Sequence, residues 1–543
     1  MIVKNSIVEL EITDISSDGN GVGRYEGMAI FVPQTAIGDK LLVKIVCVKK
    51  NYAYGIIDTI IVPSNDRIGV DCDVFGKCGG CSYRHISYKS ELLVKDNIVK
   101  DAFTRIGKLN PAFTPILACN ETENYRNKAQ YPVAEVDGKA VCGFYSKRSH
   151  RVVPFTACKI QPCEFEKIVA RIIDYVNDKN ISVYNEQTNK GTLRHIYLRK
   201  GCYTHETMVC LVATRNISEE ISDLCEMLVS EFLNIKSIVV NVNDKNTNAI
   251  LGNKNYIACG MPYISDIMCG NKVLLSPNSF YQVNTKQAEK LYGIAKKFAN
   301  ITSDDTLLDL YCGAGTIGLS MAKHLKNLIG VDDVPQAIKN AEENAKLNSI
   351  DNAKFYCSDA GEFAENMLKQ NKKIDVVIVN PPRKGCDMLT LNSISQIAPS
   401  RVVMVSCNPS TAARDCAILN TLGYKVEKVS PVDMFPRTVH VETVVQLVRK
   451  KPDTYIDITV DMDELDLTSS EAKATYDEIK DYIFDTHRVK VSSLYIAQVK
   501  QKHGIIERDC YNNSKKETPN QPQCPPEKVK LIEEALRHFK MIP

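Results

Sequence analysis

A thiol and a carboxylate in the second half of the chain are the residues best suited to covalent chemistry. Cys407 lies in the segment Ser406–Pro409, directly after the β-branched run Val402–Val405, and Glu442 follows in His440–Thr443. The run predicts a buried strand, so Cys407 is expected at a sheet edge, where α/β folds bind ligands. A thiol and a carboxylate can supply a nucleophile and a general base, although Cys407 alone would also fit a small core residue.

A glycine-rich loop upstream predicts a cofactor site. The sequence GAGTIG follows a predicted strand and opens a predicted helix, and Gly313 and Gly315 let its backbone turn tightly against a ligand. The next predicted strand ends in Asp332, which can accept hydrogen bonds from ribose hydroxyls, as in NAD or S-adenosylmethionine sites. Asp309, just before the loop, is awkward for a pyrophosphate but suits the ammonium group of S-adenosylmethionine. The loop therefore favours a methyl donor over a dinucleotide.

A rigid turn follows the next predicted strand, Ile374–Val379. It reads Asn380-Pro381-Pro382-Arg383, and its two prolines provide no backbone donors. Asn380 can direct its side-chain amide into a cleft. An aromatic residue after the prolines would suggest methylation of an exocyclic amine, and Arg383 argues against that reaction.

The pairing of a thiol with a base matches what methylation of uracil C5 requires. C5 is a poor nucleophile, and a thiolate that adds at C6 makes it reactive as part of an enolate. After methyl transfer the C5 proton must leave so that the thiolate can be eliminated. Cys407 and Glu442 provide the two groups that this sequence of steps needs.

On these motifs the chain resembles the RNA uracil-5-methyltransferase family, and within it the iron–sulfur-containing branch that methylates 23S ribosomal RNA. The likeness spans about residues 5–449 and includes a TRAM-type β-barrel and the segments 191–196 and 279–284. It implies that Cys407 is the nucleophile and Glu442 the proton acceptor. The methyl donor would contact Gln282, Tyr311, Asp332 and Asn380, and the further candidate cofactor-binding residues are Gly313, Gly315, Asp309 and Asp359.

A separate group of cysteines predicts a metal centre. The sequence C-x5-C-G-G-C brings Cys72, Cys78 and Cys81 onto one loop, with Cys158 as the candidate fourth ligand and Cys163 as the alternative. Four thiolates suit either zinc or a [4Fe–4S] cluster, and most zinc sites use two paired knuckles rather than one. The family resemblance implies [4Fe–4S]. Because the methylation needs no electron, the cluster is predicted to have a structural role or to position the RNA.

The sequence divides into four predicted segments. Residues 1–62 alternate apolar and polar positions, which predicts a small OB-like β-barrel that binds RNA. Residues 66–270 form a mixed α+β domain with the iron–sulfur loop, and residues 271–450 alternate helix and strand, which predicts a Rossmann-like α/β domain. Residues 451–543 are an appendix with an acidic linker, expected to be an accessory RNA-binding module or a stabilising tail.

Composition places few limits on function. No apolar run approaches the ~18 residues of a membrane span, and the N-terminus has no signal-peptide pattern, so a cytoplasmic location is expected. The protein is also expected to be a monomer. The net charge of +3 is too small to indicate a nucleic-acid partner by itself. RNA contacts are therefore expected at basic clusters such as Lys147–Arg151 and Arg194–Lys200, with Phe280 as a candidate for stacking on a flipped base.

The leading hypothesis is C5 methylation of uridine in 23S ribosomal RNA with S-adenosylmethionine. One alternative is the same chemistry on transfer RNA. The other is a non-catalytic RNA-binding or ribosome-assembly factor, against which the intact Cys407 and Glu442 argue.

Overall fold

Alternating apolar and polar residues shape the N-terminal part of the chain, as the sequence predicts. The computed structural model describes residues 2–155, 157–370, 372–450, 476–503, 524–539 and 541–542. The first sheet has the order β1-β5-β6-β4-β3-β2. Its strands are β1 (Ile7–Glu11), β2 (Asp14–Ile15), β3 (Asn20–Tyr25), β4 (Met28–Pro33), β5 (Lys40–Val48) and β6 (Tyr52–Val62).

The inward residues of this sheet, among them Leu10, Ile30 and Val43, form one apolar core. A short turn connects β2, which ends at Ile15, to β3, which begins at Asn20. Gly19 in that turn has a φ of +78°, and a Cβ atom there would lie 2.6 Å from Val439 Cγ1. Glycine at this position therefore permits a close approach between the barrel and a distant segment.

The second sheet is mixed and has the order β10-β9-β8-β11-β12-β13-β14. Its strands are β8 (Lys128–Val136), β9 (Lys139–Tyr145), β10 (Val152–Pro154), β11 (Leu193–Lys200), β12 (Thr207–Ala213), β13 (Ile235–Val242) and β14 (Lys254–Gly260). Helices α2 (Cys163–Asp178) and α3 (Ser222–Glu231) contribute to its apolar core.

The third sheet has eight strands in the order β19-β18-β17-β20-β21-β23-β22-β7. They are β7 (Ala112–Phe113), β17 (Thr306–Leu310), β18 (Asn327–Asp332), β19 (Ala353–Cys357), β20 (Val376–Val379), β21 (Arg401–Ser406), β22 (Tyr424–Val432) and β23 (Glu442–Arg449). Strands β17 to β21 are parallel and β23 is antiparallel to its neighbours. This is the α/β arrangement that the alternating pattern predicts.

Helices flank the third sheet. They are α4 (Thr285–Ala299), α5 (Thr316–Met321), the 3₁₀ turn Ala322–His324, α6 (Pro335–Leu347), α7 (Ala360–Lys369), α8 (Met388–Ile397) and α9 (Pro409–Thr421). A two-stranded hairpin, β15 (Ile264–Met268) and β16 (Asn271–Leu275), precedes α4 and shares a core with it.

The predicted boundary between segments 66–270 and 271–450 does not hold. Helix α1 (Tyr88–Asp101) and the π-helical turn Ala102–Ile106 pack into the core of the third sheet, where Phe103 lies among buried residues of several strands. Strand β7 pairs with β22. Residues 88–113 thus belong structurally to the third sheet. Their contacts join segments far apart in sequence, so no local pattern could have predicted them.

The described residues beyond 475 belong to a second compact unit. Its helices are α10 (Tyr476–His487), α11 (Ser493–Lys502) and α12 (Pro526–His538), and they enclose Ile483, Ile496 and Ile532. The predicted acidic linker lies outside the described residues. Among the described helices, none combines the length and apolarity required to cross a membrane.

Candidate active site

Cys407 lies where β21 ends and α9 begins. Asn408 caps the helix, because its side-chain oxygen accepts from the N–H of Ser410 at 3.1 Å, and Pro409 occupies the first turn, where no N–H is needed. The N–H of Asn408 donates to Ser406 Oγ at 3.2 Å. These local bonds hold the Cys407 thiol at the carboxyl edge of the sheet.

The rigid turn 380–383 follows the neighbouring strand β20 and is tied to the Cys407 turn. The carbonyl of Arg383 accepts from Asn408 Nδ2 at 3.0 Å and from Thr411 Oγ1 at 3.3 Å. Two parallel strands thus deliver their loops to the same edge, and hydrogen bonds between the loops fix their relative positions.

Glu442 is the first residue of β23, which runs antiparallel to β21 and pairs Thr443 with Ser406. Its side chain is buried. Burial raises the pKa of Glu442 to about 7, while the charge of Arg383 acts in the opposite direction. A carboxyl group with such a pKa can accept or release a proton near neutral pH.

Arg383 acts electrostatically on both reactive groups. Burial and the charge of Glu442 raise the pKa of the Cys407 thiol, and the charge and hydrogen bond of Arg383 oppose that rise. The sequence reasoning used Arg383 only to argue against an exocyclic amine. The only signal in the sequence for a role of Arg383 in the site was its position directly after the two prolines, at the end of a predicted strand.

The glycine loop has three residues in the left-handed region. Tyr311 has a φ of +61°, Gly313 of +55° and Gly315 of +76°. A tyrosine in this conformation is strained, and such strain is concentrated at functional sites. Asp332 supports the loop, since its Oδ2 accepts from the N–H of Gly313 at 2.9 Å and its Oδ1 from the N–H of Val334 at 3.0 Å.

Asp309 and Gly315 are not among the residues that line this cavity, so direct contact of either residue with a cofactor stays a prediction. Asp309 is fully buried under the start of α5, where its Oδ2 accepts from the N–H of Gly318 at 3.0 Å and burial raises its pKa to about 7. Gly315 is favoured both by its φ of +76° and by close packing, because a Cβ atom there would lie 3.0 Å from Phe355 Cε1. Both residues shape the loop from behind.

All the other predicted catalytic and cofactor-binding residues line one cavity of about 960 Å³. They are Cys407, Glu442, Gln282, Tyr311, Gly313, Asp332, Asp359 and Asn380. Asp359 also caps α7, where its Oδ1 accepts from the N–H groups of Gly361 and Glu362 at 2.9 and 3.2 Å. The cavity therefore joins the glycine loop to the thiol and the carboxyl group.

Rings and cations complete the cavity wall. Phe280 is 61% exposed, and Phe435, His440, Arg126 and Lys128 line the same space. Burial lowers the pKa of His440 to about 4 and that of Lys128 to about 8, with neighbouring cations adding to both effects. His440 is therefore neutral at neutral pH. Phe435 was missed by sequence reasoning, since only its nearness to residues 440–443 could have indicated it.

A second cavity, of about 280 Å³, is lined by Cys72, Cys78, Cys81 and Cys158. Cys163, the alternative fourth ligand, is exposed and lines a different pocket. Within the described residues, no set of three or more His, Cys, Asp or Glu side chains is arranged to hold a metal ion. The four predicted thiols thus share a cavity without converging on one point.

The surroundings of these thiols suit an anionic centre bound through thiolates. Burial raises the pKa of Cys81 to about 12 and that of Cys158 to about 11, and the charge of Arg84 opposes the rise at Cys81. In the described part of the chain, Arg84 Nη2 and Arg126 Nε are buried without hydrogen-bond partners, and both residues line this cavity. Buried thiols lose their protons readily only near a cation or metal.

Arg126 and Lys128 line both cavities. They lie at the start of β8 and just before it, so one short segment separates the four cysteines from the space that holds Cys407.

Comparison with known proteins identifies two matching family models. The model described as tRNA (Uracil-5-)-methyltransferase matches residues 88–450, and the TRAM domain matches residues 4–57. The first match contains α1 and β7, in agreement with their packing on the third sheet.

Two relatives and one solved structure are similar over most of the chain. An uncharacterized RNA methyltransferase of Halalkalibacterium halodurans is 42% identical, with 82% of this chain and 97% of the relative covered. Another from Clostridium tetani is 38% identical, with coverage of 82% and 96%. The crystal structure of Pyrococcus abyssi tRNA (uracil-54, C5)-methyltransferase with S-adenosyl-L-homocysteine has a TM-score of 0.65 and 26% identity, with 81% of this chain and all of that chain covered.

Proposed function

Since the chain belongs to the tRNA (uracil-5-)-methyltransferase family and carries an N-terminal TRAM domain, we propose that it methylates C5 of uridine in RNA through a covalent adduct on Cys407. The methyl donor of this family is S-adenosylmethionine. One observation carries the proposal: Cys407, Glu442 and residues of the glycine loop line a single cavity. Donor and target base can therefore meet the thiol and the carboxyl group in one space.

The reaction begins with Cys407. Its thiol loses a proton and the sulfur adds to C6 of the uracil, so that the C5–C6 π electrons move toward O4 as an enolate. C5 of this enolate attacks the methyl group of the donor, and S-adenosylhomocysteine leaves as a neutral thioether. Glu442 then removes the C5 proton, the C5–C6 double bond forms again, and the Cys407 thiolate departs. The products are 5-methyluridine, S-adenosylhomocysteine and one proton.

Arg383 and Glu442 set the proton balance of these steps. The cationic Arg383 favours the thiolate form of Cys407, which burial disfavours. Burial holds the pKa of Glu442 at about 7, so its carboxylate is a stronger base than an exposed glutamate and is still available at neutral pH. The site therefore pairs a nucleophile with a base suited to the later proton removal.

The donor is proposed to bind between the glycine loop and the turn 380–383. Asp332 and Asp359 offer carboxylate oxygens to hydroxyl or amino groups, and Gln282 and Asn380 offer amides. Tyr311 and Gly313 form the loop surface against which the donor lies. Phe280 and Phe435 provide rings for a base that has left its stack.

We propose 23S ribosomal RNA as the target, on the basis of the resemblance to the iron–sulfur-containing branch of the family. Transfer RNA is the second candidate, and a specific observation favours it: the similar Pyrococcus abyssi structure is named a tRNA (uracil-54, C5)-methyltransferase. The two targets demand the same chemistry and differ only in which RNA reaches the cavity.

We further propose that Cys72, Cys78, Cys81 and Cys158 hold a [4Fe–4S] cluster. The shared cavity and its buried cationic neighbours Arg84 and Arg126 support this choice. When bound, such a cluster would supply a rigid, negatively charged cross-link rather than electrons, because the methyl transfer is redox-neutral. The residues around it would hold the loop that precedes α1 in place.

The decisive experiment maps 5-methyluridine by mass spectrometry. Ribosomal and transfer RNA are isolated from cells with and without the protein, and then from deletion cells that carry the wild-type chain or Cys407→Ser. Loss of a 5-methyluridine in 23S RNA on deletion, restored only by the wild type, is the expected result. Loss confined to transfer RNA would establish the second candidate, and no loss in either RNA would reject the proposed function.

A further inference from the structure

The segment that leads into Glu442 is held by buried charges on a different helix. Residues 433–441, here called the strap, connect β22 to β23 and end at Glu442. The strap carries Phe435 and His440, which line the catalytic cavity. Its course therefore decides where these two wall residues lie, and its two ends meet at the pair formed by Val432 of β22 and Glu442 of β23.

Lys95, on α1, is fully buried and uses all three of its donors. Its Nζ donates to Glu91 Oε1 at 2.7 Å, to Asp433 Oδ1 at 2.7 Å and to the carbonyl oxygen of Phe435 at 3.1 Å. Two of these three acceptors belong to the strap. One ammonium group thus joins α1 to both ends of the turn that presents the Phe435 ring.

The carboxyl groups around Lys95 fix further points of the strap. Glu91 Oε1 accepts from the backbone N–H of Arg437 at 2.7 Å, and Glu91 Oε2 lies 3.6 Å from Arg437 Nη1. Asp433 Oδ2 accepts from the hydroxyl of Tyr88 at 2.8 Å, and Asp433 Oδ1 accepts from the N–H of Phe435 at 3.2 Å. Glu91, Lys95, Asp433 and Arg437 are here called the ion network, and its formal charges cancel.

The backbone of the strap is strained at the point that the network holds. Arg437 has a φ of +69°, a conformation that a residue with a side chain rarely adopts. Its carbonyl accepts from the N–H groups of Ser82 and Tyr83 at 2.7 and 3.1 Å, directly after Cys81. Such a conformation persists only where the surroundings over-determine it.

Stability alone is a poor explanation for the ion network. Burying Glu91, Lys95 and Asp433 carries a large desolvation cost, and apolar side chains of similar size are often equally stabilising or better. Hydrogen bonds of fixed direction, in contrast, specify one backbone course. The burial and the number of bonds to the strap therefore point to a role in geometry.

We propose that the ion network positions the strap so that Glu442 reaches the C5 proton of the methylated adduct, with Lys95 as its central positioning residue. This inference rests on the proposed function, because it concerns the step that Glu442 performs. Cys407 is held by other contacts, at the start of α9, and does not depend on the strap. Loss of the network should therefore impair the second half of the reaction more than the first.

The test compares Lys95→Met with Lys100→Met on the same helix. Lys100 is 45% exposed and pairs with Asp96 across one turn, so its loss should be neutral. We expect Lys95→Met to turn over roughly 10- to 100-fold more slowly, as for a group misplaced by about 1 Å. It should still bind S-adenosylmethionine within about twofold of the wild type. It should also accumulate a protein–RNA adduct that is stable in detergent and carries the labelled methyl group.

A second variant separates positioning from folding. Lys95→Arg keeps the charge, and a partial recovery of turnover with less adduct is expected. The double variant K95M/D433N leaves no net charge, because Glu91 can still pair with Arg437, and it should remain folded yet still accumulate the adduct. Wild-type turnover by Lys95→Met would overturn the inference, as would a parallel loss of donor binding, adduct and folded protein in every variant. Absence of methyl transfer by the wild type would instead reject the proposed function.

Discussion

Two cavities that share a wall both contain cysteine thiols, and the charged groups beside the thiols differ between the two cavities. Cys407 lies beside a buried carboxyl group and a guanidinium group, whereas Cys72, Cys78, Cys81 and Cys158 lie beside cations, with Arg84 and Arg126 among the lining residues. Burial raises thiol pKa values in both places. A thiol beside a base can form and lose a bond within one reaction, while several thiols beside cations suit a permanent anionic centre.

The sharpest test of this difference replaces one sulfur in each cavity. Cys407→Ser should reduce methyl transfer to background, because an oxygen adds to C6 and leaves far less readily. Binding of S-adenosylmethionine, followed by calorimetry, should be unchanged. The matched change Cys81→Ser should keep measurable transfer. If Cys407→Ser turns over at a substantial rate, the covalent mechanism is wrong.

Replacing Glu442 removes the proposed general base and leaves the Cys407 thiol in place. We expect Glu442→Gln to lower turnover by roughly 10²- to 10⁴-fold, the usual contribution of a general base. Because addition and methyl transfer precede the proton removal, a labelled protein–RNA adduct should accumulate on denaturing gels. Rapid release of free methylated RNA by this variant would assign the base to another residue.

Replacing Arg383 should make the Cys407 thiol harder to ionise and leave Glu442 in place. Arg383 opposes the raised pKa of Cys407, so Arg383→Gln should slow adduct formation by roughly tenfold, the equivalent of about one pKa unit. Arg383→Lys should recover part of the rate. The measurement is adduct formation with 5-fluorouridine-containing RNA, and an equal loss in both variants would show that shape rather than charge matters.

The pH profile should report the buried carboxyl group. Glu442 has a pKa of about 7, raised by burial, and only its ionised form can accept the C5 proton. Turnover should therefore rise with pH through about 7 and be roughly tenfold lower one unit below that value. Glu442→Gln should lose this limb of the profile. A wild-type rate that is flat between pH 6 and 8 would exclude Glu442 as the limiting base.

Substitutions in the cysteine cavity should change methyl transfer little and metal content strongly. Cys158→Ser should abolish the visible absorption and iron of anaerobically purified protein, with a modest loss of turnover. Cys163→Ser, which changes an exposed cysteine of another pocket, should leave both unchanged. Colourless wild-type protein rich in zinc would replace the iron–sulfur assignment.

Local patterns in the sequence predicted much of the fold. The strand expected before the glycine-rich loop is β17, and the β-branched run before Cys407 falls within β21. Parallel strands deliver their carboxyl ends to one edge, so the gathering of Asp332, Asn380 and Cys407 in one cavity follows from topology. These residues could be grouped without knowledge of any long-range contact.

The features that sequence reasoning missed depend on packing between distant segments. The side chain of Asp309 turns under α5, a direction that its place before the loop does not reveal. The contact of α1 with the strap joins residues far apart in sequence. A lysine such as Lys95 is usually exposed, so its burial could not be expected from its residue type. Arg383 was noted in the sequence, but its effect on the pKa values of Cys407 and Glu442 became apparent only from the structure.

The wall formed by Arg126 and Lys128 belongs to two chambers at once. Neither chamber can be redesigned independently, because a change of size or charge in this segment alters both. Directed evolution toward a new RNA target would therefore be expected to select compensating changes around the cysteines, even if only the catalytic chamber were under selection.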